Sequence, residues 1–123
     1  MLVSHAFIDY NKVDLPLRVR SWRPGDRIRP LGFHGRKKVQ DLFVDEKIPR
    51  LRRDNIPLII SGNKVVWVAG LRIDDKYRVD EQTRQILHLW IDHSDPAEIP
   101  VTSDVGHVSF AEGDENEMDP DFP

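Results

Sequence analysis

The sequence predicts an α+β fold: a compact, β-rich domain with one or two short helices, followed by a disordered acidic tail. Three observations support this prediction. Short runs such as residues 17–22 alternate apolar and polar side chains at the period of a β-strand. Residues 37–47 change to the period of an α-helix. After residue 91 both periodicities stop, and the Asp and Glu residues are no longer balanced by Lys or Arg. Such a pattern is typical of a disordered segment, which has too little apolar surface to pack into a core.

The charge divides the chain into two unlike parts. Its 123 residues, 39% of them hydrophobic, suffice for one modest domain. Residues 1–91 hold all 18 Lys and Arg with 11 acids, a balance of 18 − 11 = +7. Residues 92–123 hold 10 acids and no Lys or Arg, a balance of −10. We therefore expect a basic domain and an acidic tail in which only the apolar piece, residues 105–110, would dock.

Several function classes are disfavoured by what the sequence lacks. There is no cysteine, which excludes disulfides and thiolate metal sites and favours a reducing compartment. No apolar run approaches the roughly 20 residues of a membrane span, and no signal peptide is visible, so we expect a cytoplasmic protein with no membrane partner. The five histidines show no metal-ligand spacing, and there is no P-loop or nucleophile elbow. We expect no catalytic residue, metal site or cofactor in this chain.

Basic residues concentrate in one stretch. Between residues 18 and 53 there are twelve Lys or Arg against four acids. These cations alternate with apolar residues and are interrupted by turn signals, so they belong to a folded surface and not to a flexible basic arm. A folded surface with separately positioned cations is what a phosphate backbone requires from a protein.

The first part of this stretch predicts a strand with two unlike faces. Leu17 and Val19 would face the core. Arg18, Arg20 and Trp22 would share the opposite face. That face is either a half-exposed strand with solvated arginines, or a clasp for phosphates with an aromatic ring that stacks on a base.

A structural turn of Pro24, Gly25 and Asp26 follows this strand. Proline presets φ at one corner, and glycine accepts the positive φ of the next. We expect Asp26 to hold the turn, either by capping its amides or by orienting Arg23 or Arg27, and not to act as a catalytic carboxylate.

Two helical segments are expected next. The apolar stripe of the first, over residues 37–47, consists of Val39, Leu42 and Phe43. Lys37 and Lys38 stand at its start, where the helix dipole disfavours cations and a docked anion would relieve the mismatch. Residues 49–55 predict a second helical turn whose arginines point outward. They are Arg50, Arg52 and Arg53.

The remainder of the basic domain predicts strands. Residues 57–68 are typical of a hairpin at the centre of a sheet, with Trp67 in the core. Residues 76–79 and 85–91 indicate two further strands. Between the hairpin and these strands, Arg72 is the charge we expect to emerge beside the basic surface.

A series of short motifs runs in a fixed order through about residues 15–91. They are Leu17-Arg18-Val19-Arg20, Arg23-Pro24-Gly25-Asp26-Arg27, Pro30-Leu31-Gly32, Lys37-Lys38, Asp41-Leu42-Phe43, Lys47-Ile48-Pro49, Arg53-Asp54, Pro57-Leu58, Trp67-Val68 and Gly70-Leu71-Arg72-Ile73. This order resembles the C-terminal domain of bacterial tRNA(Ile)-lysidine synthetase. The acidic tail is not part of that pattern.

The resemblance implies a fold and a function. The fold would be like that of a domain of the phenylalanyl-tRNA synthetase β subunit. The full enzyme uses ATP, with magnesium, to adenylate the wobble cytidine of an isoleucine tRNA and then joins lysine to it. That ligase chemistry belongs to an N-terminal PP-loop domain whose phosphate loop is absent here, so this fragment should be inactive alone. The C-terminal domain contacts the tRNA acceptor stem and helps to select the right tRNA.

The resemblance also implies a division of the chain. Residues 1–14 would be a strand or linker from the preceding domain, residues 15–91 the tRNA-binding domain, and residues 92–123 the tail. The expected partners are the acceptor stem, the rest of the parent enzyme and, in a possible homodimer, a second copy. The residues expected to bind RNA are Arg20, Arg23, Arg27, Lys37, Lys38, Arg50, Arg53 and Arg72. If about six phosphates are neutralised, the log–log salt slope of affinity should be roughly −4 to −5.

Two alternatives remain open at this point. The basic domain could be an interdomain or dimerisation platform with only non-specific affinity for RNA. Alternatively, the acidic tail could fold back on the basic surface and imitate RNA, in which case its removal would tighten RNA binding.

Overall fold

The structure, a computed structural model, describes residues 3–92, 102–104 and 109–113. Within these residues the chain forms ten strands, two α-helices and two 3₁₀ turns. The strands are β1 (Val3–Asp9), β2 (Leu17–Arg20), β3 (Arg27–Ile28), β4 (Lys37–Lys38), β5 (Leu58–Ser61), β6 (Lys64–Val68), β7 (Arg72–Ile73), β8 (Ile86–Asp92), β9 (Thr102–Asp104) and β10 (Ser109–Gly113). The helices are α1 (Val39–Asp45) and α2 (Arg50–Arg53), and the 3₁₀ turns are Tyr10–Lys12 and Asp75–Tyr77.

Antiparallel pairing arranges these strands in three sheets. One has the order β1-β8-β10, and a larger one has the order β7-β6-β5-β2-β9. The short ribbon β3-β4 forms the third. In the first sheet Ala6 lies opposite Leu89 and Ile8 opposite Leu87, so the apolar residues of both strands share one face.

The core consists of two hydrophobic clusters on either side of the large sheet. Because strand side chains alternate between faces, Leu17, Val19 and Ile59 pack against the apolar face of β1 and β8. The other faces of β5 and β6 pack against the stripe of α1, which buries Phe43 completely. Burying such a side chain contributes about 1.5–3 kcal/mol. The central hairpin is therefore apolar on both faces, as predicted, and Trp67 lies in the core.

The predicted fold class is confirmed: the domain is strand-rich and carries two short helices. Two local expectations were wrong. Residues 76–79 do not form a strand, because the Asp74 side chain caps the amide of Lys76 and starts a 3₁₀ turn that buries Tyr77. The helix also begins later than residue 37: Lys37 and Lys38 precede it, with Lys38 as its N-cap. They pair as β4 with β3, and α1 starts at Val39.

Most of the acidic tail lies outside the described residues, and so does most of the segment for which disorder was predicted. Two short segments are described: β9 pairs with β2, and β10 pairs with β8. The domain boundaries at residues 15 and 92 remain predictions. Among the helices of the described residues, none has the length and apolar character needed to cross a membrane.

Candidate nucleic-acid interface

An ion pair between Arg20 and Asp26 builds the turn. The two terminal nitrogens of Arg20 each donate to one carboxylate oxygen of Asp26, both at 2.9 Å. The backbone amide of Arg23 donates to the same carboxylate at 2.7 Å. Gly25 takes a positive φ of 96°, as the turn chemistry requires. The carbonyl of Asp26 accepts from the amide of Val39 at 2.9 Å and so joins the turn to the start of α1.

The environment of Asp26 favours its charged form. Burial alone would raise the pKa of this carboxyl, but the Arg20 guanidinium and the Arg23 amide together lower the pKa below its ordinary value of 3.8. The side chains of Arg20 and Asp26 are only 13% and 12% exposed. Asp26 therefore caps an amide of the turn, as expected, but the arginine it orients is Arg20, not Arg23 or Arg27. Arg20 therefore holds the turn, and its contact with RNA remains a prediction.

Four of the residues expected to bind RNA are exposed and unpaired. Within the part of the chain that the structure describes, their side chains make no hydrogen bond and no ion pair. They are Arg23, Arg27, Lys38 and Arg50. Arg27 and Lys38 lie directly opposite each other in the β3-β4 ribbon, so their side chains project from the same face. Like charges in this position repel, and a bound anion would relieve the repulsion.

The other three predicted cations have partners. Lys37 forms an ion pair with Asp45, and its ammonium lies 5.1 Å from the centre of the Phe33 ring. Arg72 pairs with Glu46 at 2.7 Å. Arg53 donates to the carbonyl of Ile48 at 3.0 Å, and its guanidinium carbon lies 5.7 Å from the centre of the Phe43 ring. The protein thus positions all three cations, and acid partners partly neutralise Lys37 and Arg72.

Two clefts bring predicted residues together beside aromatic rings. Arg50 and Arg53 line a cleft of about 220 Å³ with Trp22, whose indole nitrogen donates to Asp54 at 3.1 Å. A second cleft, of about 250 Å³, contains Lys37, Arg72 and the exposed Phe33. Six of the eight predicted residues thus form three local groups, the ribbon pair and these two clefts, while Arg20 and Arg23 lie at the turn. That all of them share one face remains a prediction.

A third cleft contains cations that were not among the predicted residues. It is lined by Arg29, Arg36, Lys64, Asp74, Lys76 and Tyr77. The alternation of Arg27 and Arg29 in the sequence was a usable signal for one of them. Lys64 and Lys76 are distant in sequence, and only the fold places them beside Arg29.

The outer face of the β1-β8 sheet carries a cluster of rings. His5 Nδ1 and His88 Nε2 lie 2.9 Å apart and share a hydrogen bond. Phe7, which is 53% exposed, stacks on His88 with ring centres 4.4 Å apart, and the ring centre of Trp90 lies 5.0 Å from that of His88. Burial, and then the neighbouring His5, lower the pKa of His88 below its ordinary value of 6.5.

Fold and surface together define the class of protein. It is a strand-rich α+β domain that carries exposed cations, some single and some paired, near a turn held by an ion pair. Comparison with known families gives a closer assignment. The family described as the TilS substrate C-terminal domain matches residues 17–90, and this chain belongs to that family.

Individual relatives agree with this assignment. The chain is 44% identical over 82 residues to the tRNA(Ile)-lysidine synthase of Parabacteroides distasonis, a match that covers 67% of this chain and 19% of that protein. It is 47% identical over 81 residues to the tRNA(Ile)-lysidine synthase of Caldanaerobacter subterraneus, covering 66% of this chain and 17% of that protein. The chain thus spans less than a fifth of the length of these relatives.

A solved structure is similar as well. It is described as the crystal structure of a TILS C-terminal domain. The match has a TM-score of 0.61 at 36% sequence identity, and it covers 71% of this chain and 68% of the other. The likeness therefore extends from the sequence to the three-dimensional arrangement.

Proposed function

We propose that this chain is the tRNA-recognition domain of a tRNA(Ile)-lysidine synthase and that it binds the tRNA acceptor stem. The observation that carries the proposal is the set of four exposed, unpaired cations around the rigid turn: Arg23, Arg27, Lys38 and Arg50. Family membership supplies the kind of RNA. In the parent enzyme, a separate ATP- and magnesium-dependent domain would join lysine to the wobble cytidine in the cytoplasm.

The mechanism is one of positioning. A-form RNA presents phosphates and 2′-hydroxyls along a shallow minor groove, and proteins hold it mainly through these groups. Arg27 and Lys38 project side by side from a two-stranded ribbon, so they are spaced to contact phosphates of one strand. The Arg20–Asp26 pair fixes the turn from which Arg23 projects. The domain would hold the acceptor stem while the anticodon reaches the catalytic domain.

Arg50 and Trp22 suggest a contact of a different kind. They line one cleft, and the rings of Trp22 and the buried Phe43 pack edge to face with their centres 5.7 Å apart. A ring held in this way offers a fixed surface for a ribose or a terminal base, while Arg50 and Arg53 would bind the adjoining phosphate.

The test is binding of this chain to an isoleucine-tRNA acceptor-stem duplex and to its methionine counterpart across a salt series. Arg27→Gln should weaken binding to both stems and reduce the log–log salt slope by about 1. Arg84→Gln is the matched control, because Arg84 is also exposed and unpaired within the described residues but lies in none of the three groups. Equal effects of the two variants would contradict the proposed interface.

A second candidate function is an interdomain or dimerisation platform. The exposed Phe7, together with Val3 at 39% exposure on the same strand, favours packing against another protein surface. Sedimentation of the chain, with Phe7→Ser as the variant, tests the dimer. Concentration-dependent self-association that Phe7→Ser abolishes would support the platform, and a monomer at all concentrations would contradict a homodimer through this face.

A further inference from the structure

The third cleft is a pocket of about 220 Å³ with four cations in its wall. Arg29 enters from the end of β3, Arg36 from the loop before β4, Lys64 from the start of β6, and Lys76 from the 3₁₀ turn. All four side chains are exposed. The fold thus brings together cations from four separate segments of the chain. They are not neighbours along a single strand.

Asp74, the one acid in this cleft, is already engaged by the backbone. One of its oxygens accepts from the amide of Arg29 at 3.0 Å, and the other accepts from the amide of Lys76 at 2.9 Å. The amide of Asp75 in turn donates to the carbonyl of Arg29 at 2.7 Å. These bonds fix the backbone positions of Arg29 and Lys76 against each other. The carboxylate therefore positions two of the four cations through their backbones.

The cations of the cleft outnumber its single carboxylate. Within the described ranges none of the four forms an ion pair, and the closest ring contact is that of Lys76, whose ammonium lies 5.4 Å from the centre of the Tyr77 ring. Four cations and one carboxylate leave a formal charge of 4 − 1 = +3 around one cavity. Such a concentration attracts anions, and it is relieved by one that accepts several hydrogen bonds at once.

The chemistry of the wall selects a phosphate group. Arginine presents a planar fork of donors that matches two oxygens of a phosphate, and lysine adds a point charge. The position of the cleft also favours a phosphate as its ligand. The register that sets Arg27 opposite Lys38 would set Arg29 opposite Arg36 two residues further along, on the same face, and both do line the cleft. The cleft thus continues the row of cations that begins with the ribbon pair.

We propose that this cleft is a second phosphate-binding site of the domain, separate from the groups expected from the sequence. Its ligand is a phosphate group held by Arg29, Arg36, Lys64 and Lys76. The phosphate is either the next backbone phosphate of the RNA bound at Arg27 and Lys38, in which case the inference rests on the proposed function, or a free phosphate-bearing small molecule.

The first experiment titrates the chain with inorganic phosphate, against chloride at matched ionic strength, and follows backbone amide shifts. The amides of Arg29, Asp74 and Lys76 should shift and saturate with phosphate but not with chloride. Arg36→Gln and Lys64→Gln should each raise the phosphate concentration at half-saturation by about fivefold or more, since each removes one charged contact of about 1 kcal/mol or more. Arg84→Gln should leave it unchanged.

The second experiment measures the salt slope for the acceptor-stem duplex with the same variants. A slope reduced by about 1 in Arg36→Gln, but not in Arg84→Gln, assigns the phosphate to RNA. Saturating phosphate shifts with unchanged RNA slopes assign the site to a free phosphate-bearing molecule. The proposal is overturned if phosphate produces no saturating shift at these amides and Arg36→Gln binds RNA as Arg84→Gln does. Failure of the proposed function would be seen separately, as equal effects of Arg27→Gln and Arg84→Gln on RNA binding.

Discussion

Replacing Asp26 with alanine tests whether one ion pair holds the basic turn in place. In the folded chain Asp26 accepts from both terminal nitrogens of Arg20 and from the amide of Arg23. Asp26→Ala leaves the Arg20 guanidinium, which is 13% exposed, without a counter-charge. Removing one partner of a buried ion pair costs about 3–5 kcal/mol, and the slight exposure of this pair places it at the lower bound, about 3 kcal/mol. In a domain of this size, that lowers Tm by at least about 12 °C.

The assay is thermal unfolding followed by circular dichroism, with Asp45→Ala as the matched control. Asp45 also pairs with a cation of the basic surface, Lys37, but its side chain is 53% exposed, so its loss should cost no more than about 1 kcal/mol. Combining Arg20→Met with Asp26→Ala should recover part of the loss, because the double variant leaves no orphaned charge. Equal Tm values for Asp26→Ala and Asp45→Ala would refute the reasoning.

Acid should act on the same pair in a definite direction. The pKa of Asp26 in the folded chain lies below 3.8, its ordinary value, so the unfolded chain binds more protons in that range. The stability that Asp26 contributes is therefore present above pH 3.8 and is lost as the pH falls through the folded pKa. Asp26→Ala should unfold with a flatter pH dependence in this acidic range than the unsubstituted chain.

Two further predictions concern other parts of the fold. The pKa of His88 is lowered from 6.5, so the unfolded chain takes up the proton first and stability should fall as the pH drops below 6.5. Urea titrations should show a weaker pH dependence in His88→Gln than in the unsubstituted chain, and an equal dependence would contradict this role of His88. Gly70→Ala should lower the free energy of unfolding by more than the about 1–2 kcal/mol that a positive φ costs a non-glycine residue, because the new Cβ would lie 3.0 Å from Ser4 Oγ. Gly32→Ala is the control: Gly32 has a similar φ but open space around it, so this variant should cost only the about 1–2 kcal/mol of the positive φ. Equal losses in the two variants would contradict the clash with Ser4.

Features set by local chemistry were predictable from the sequence. The Pro24-Gly25-Asp26 turn follows from the dihedral preferences of two residues, and the hairpin at residues 57–68 follows from apolar runs on both sides of a Gly-containing turn. Residues 76–79 were assigned wrongly because charged and apolar residues alternate there as they do in a strand. The usable signal lay just before them, in Asp74, whose side chain can cap a helical turn.

The roles of individual cations were less predictable, because they depend on which acids the fold brings near. Arg20 and Arg27 look alike in the sequence, each on the polar face of a short strand. In the structure Arg20 is bound to Asp26, whereas Arg27 faces Lys38 and has no acid partner within the described residues. Pairing is decided by tertiary contacts that no single-residue pattern contains. For the same reason the cleft at Arg29 was missed, since its other walls come from distant segments.

The division of the cations into ion-paired and unpaired residues changes which of them determine the salt dependence of RNA binding. A cation that already has a carboxylate partner releases few additional counterions when it meets a phosphate, so only unpaired cations contribute fully to the salt slope. Arg23, Arg27, Lys38 and Arg50 alone would give a slope of about −3.6. If the cleft also takes a phosphate, one further contact brings the slope to about −4.5. The range expected from the sequence, roughly −4 to −5, is therefore reached with different residues: ion-paired Arg20, Lys37 and Arg72 contribute little, and the cleft takes their place.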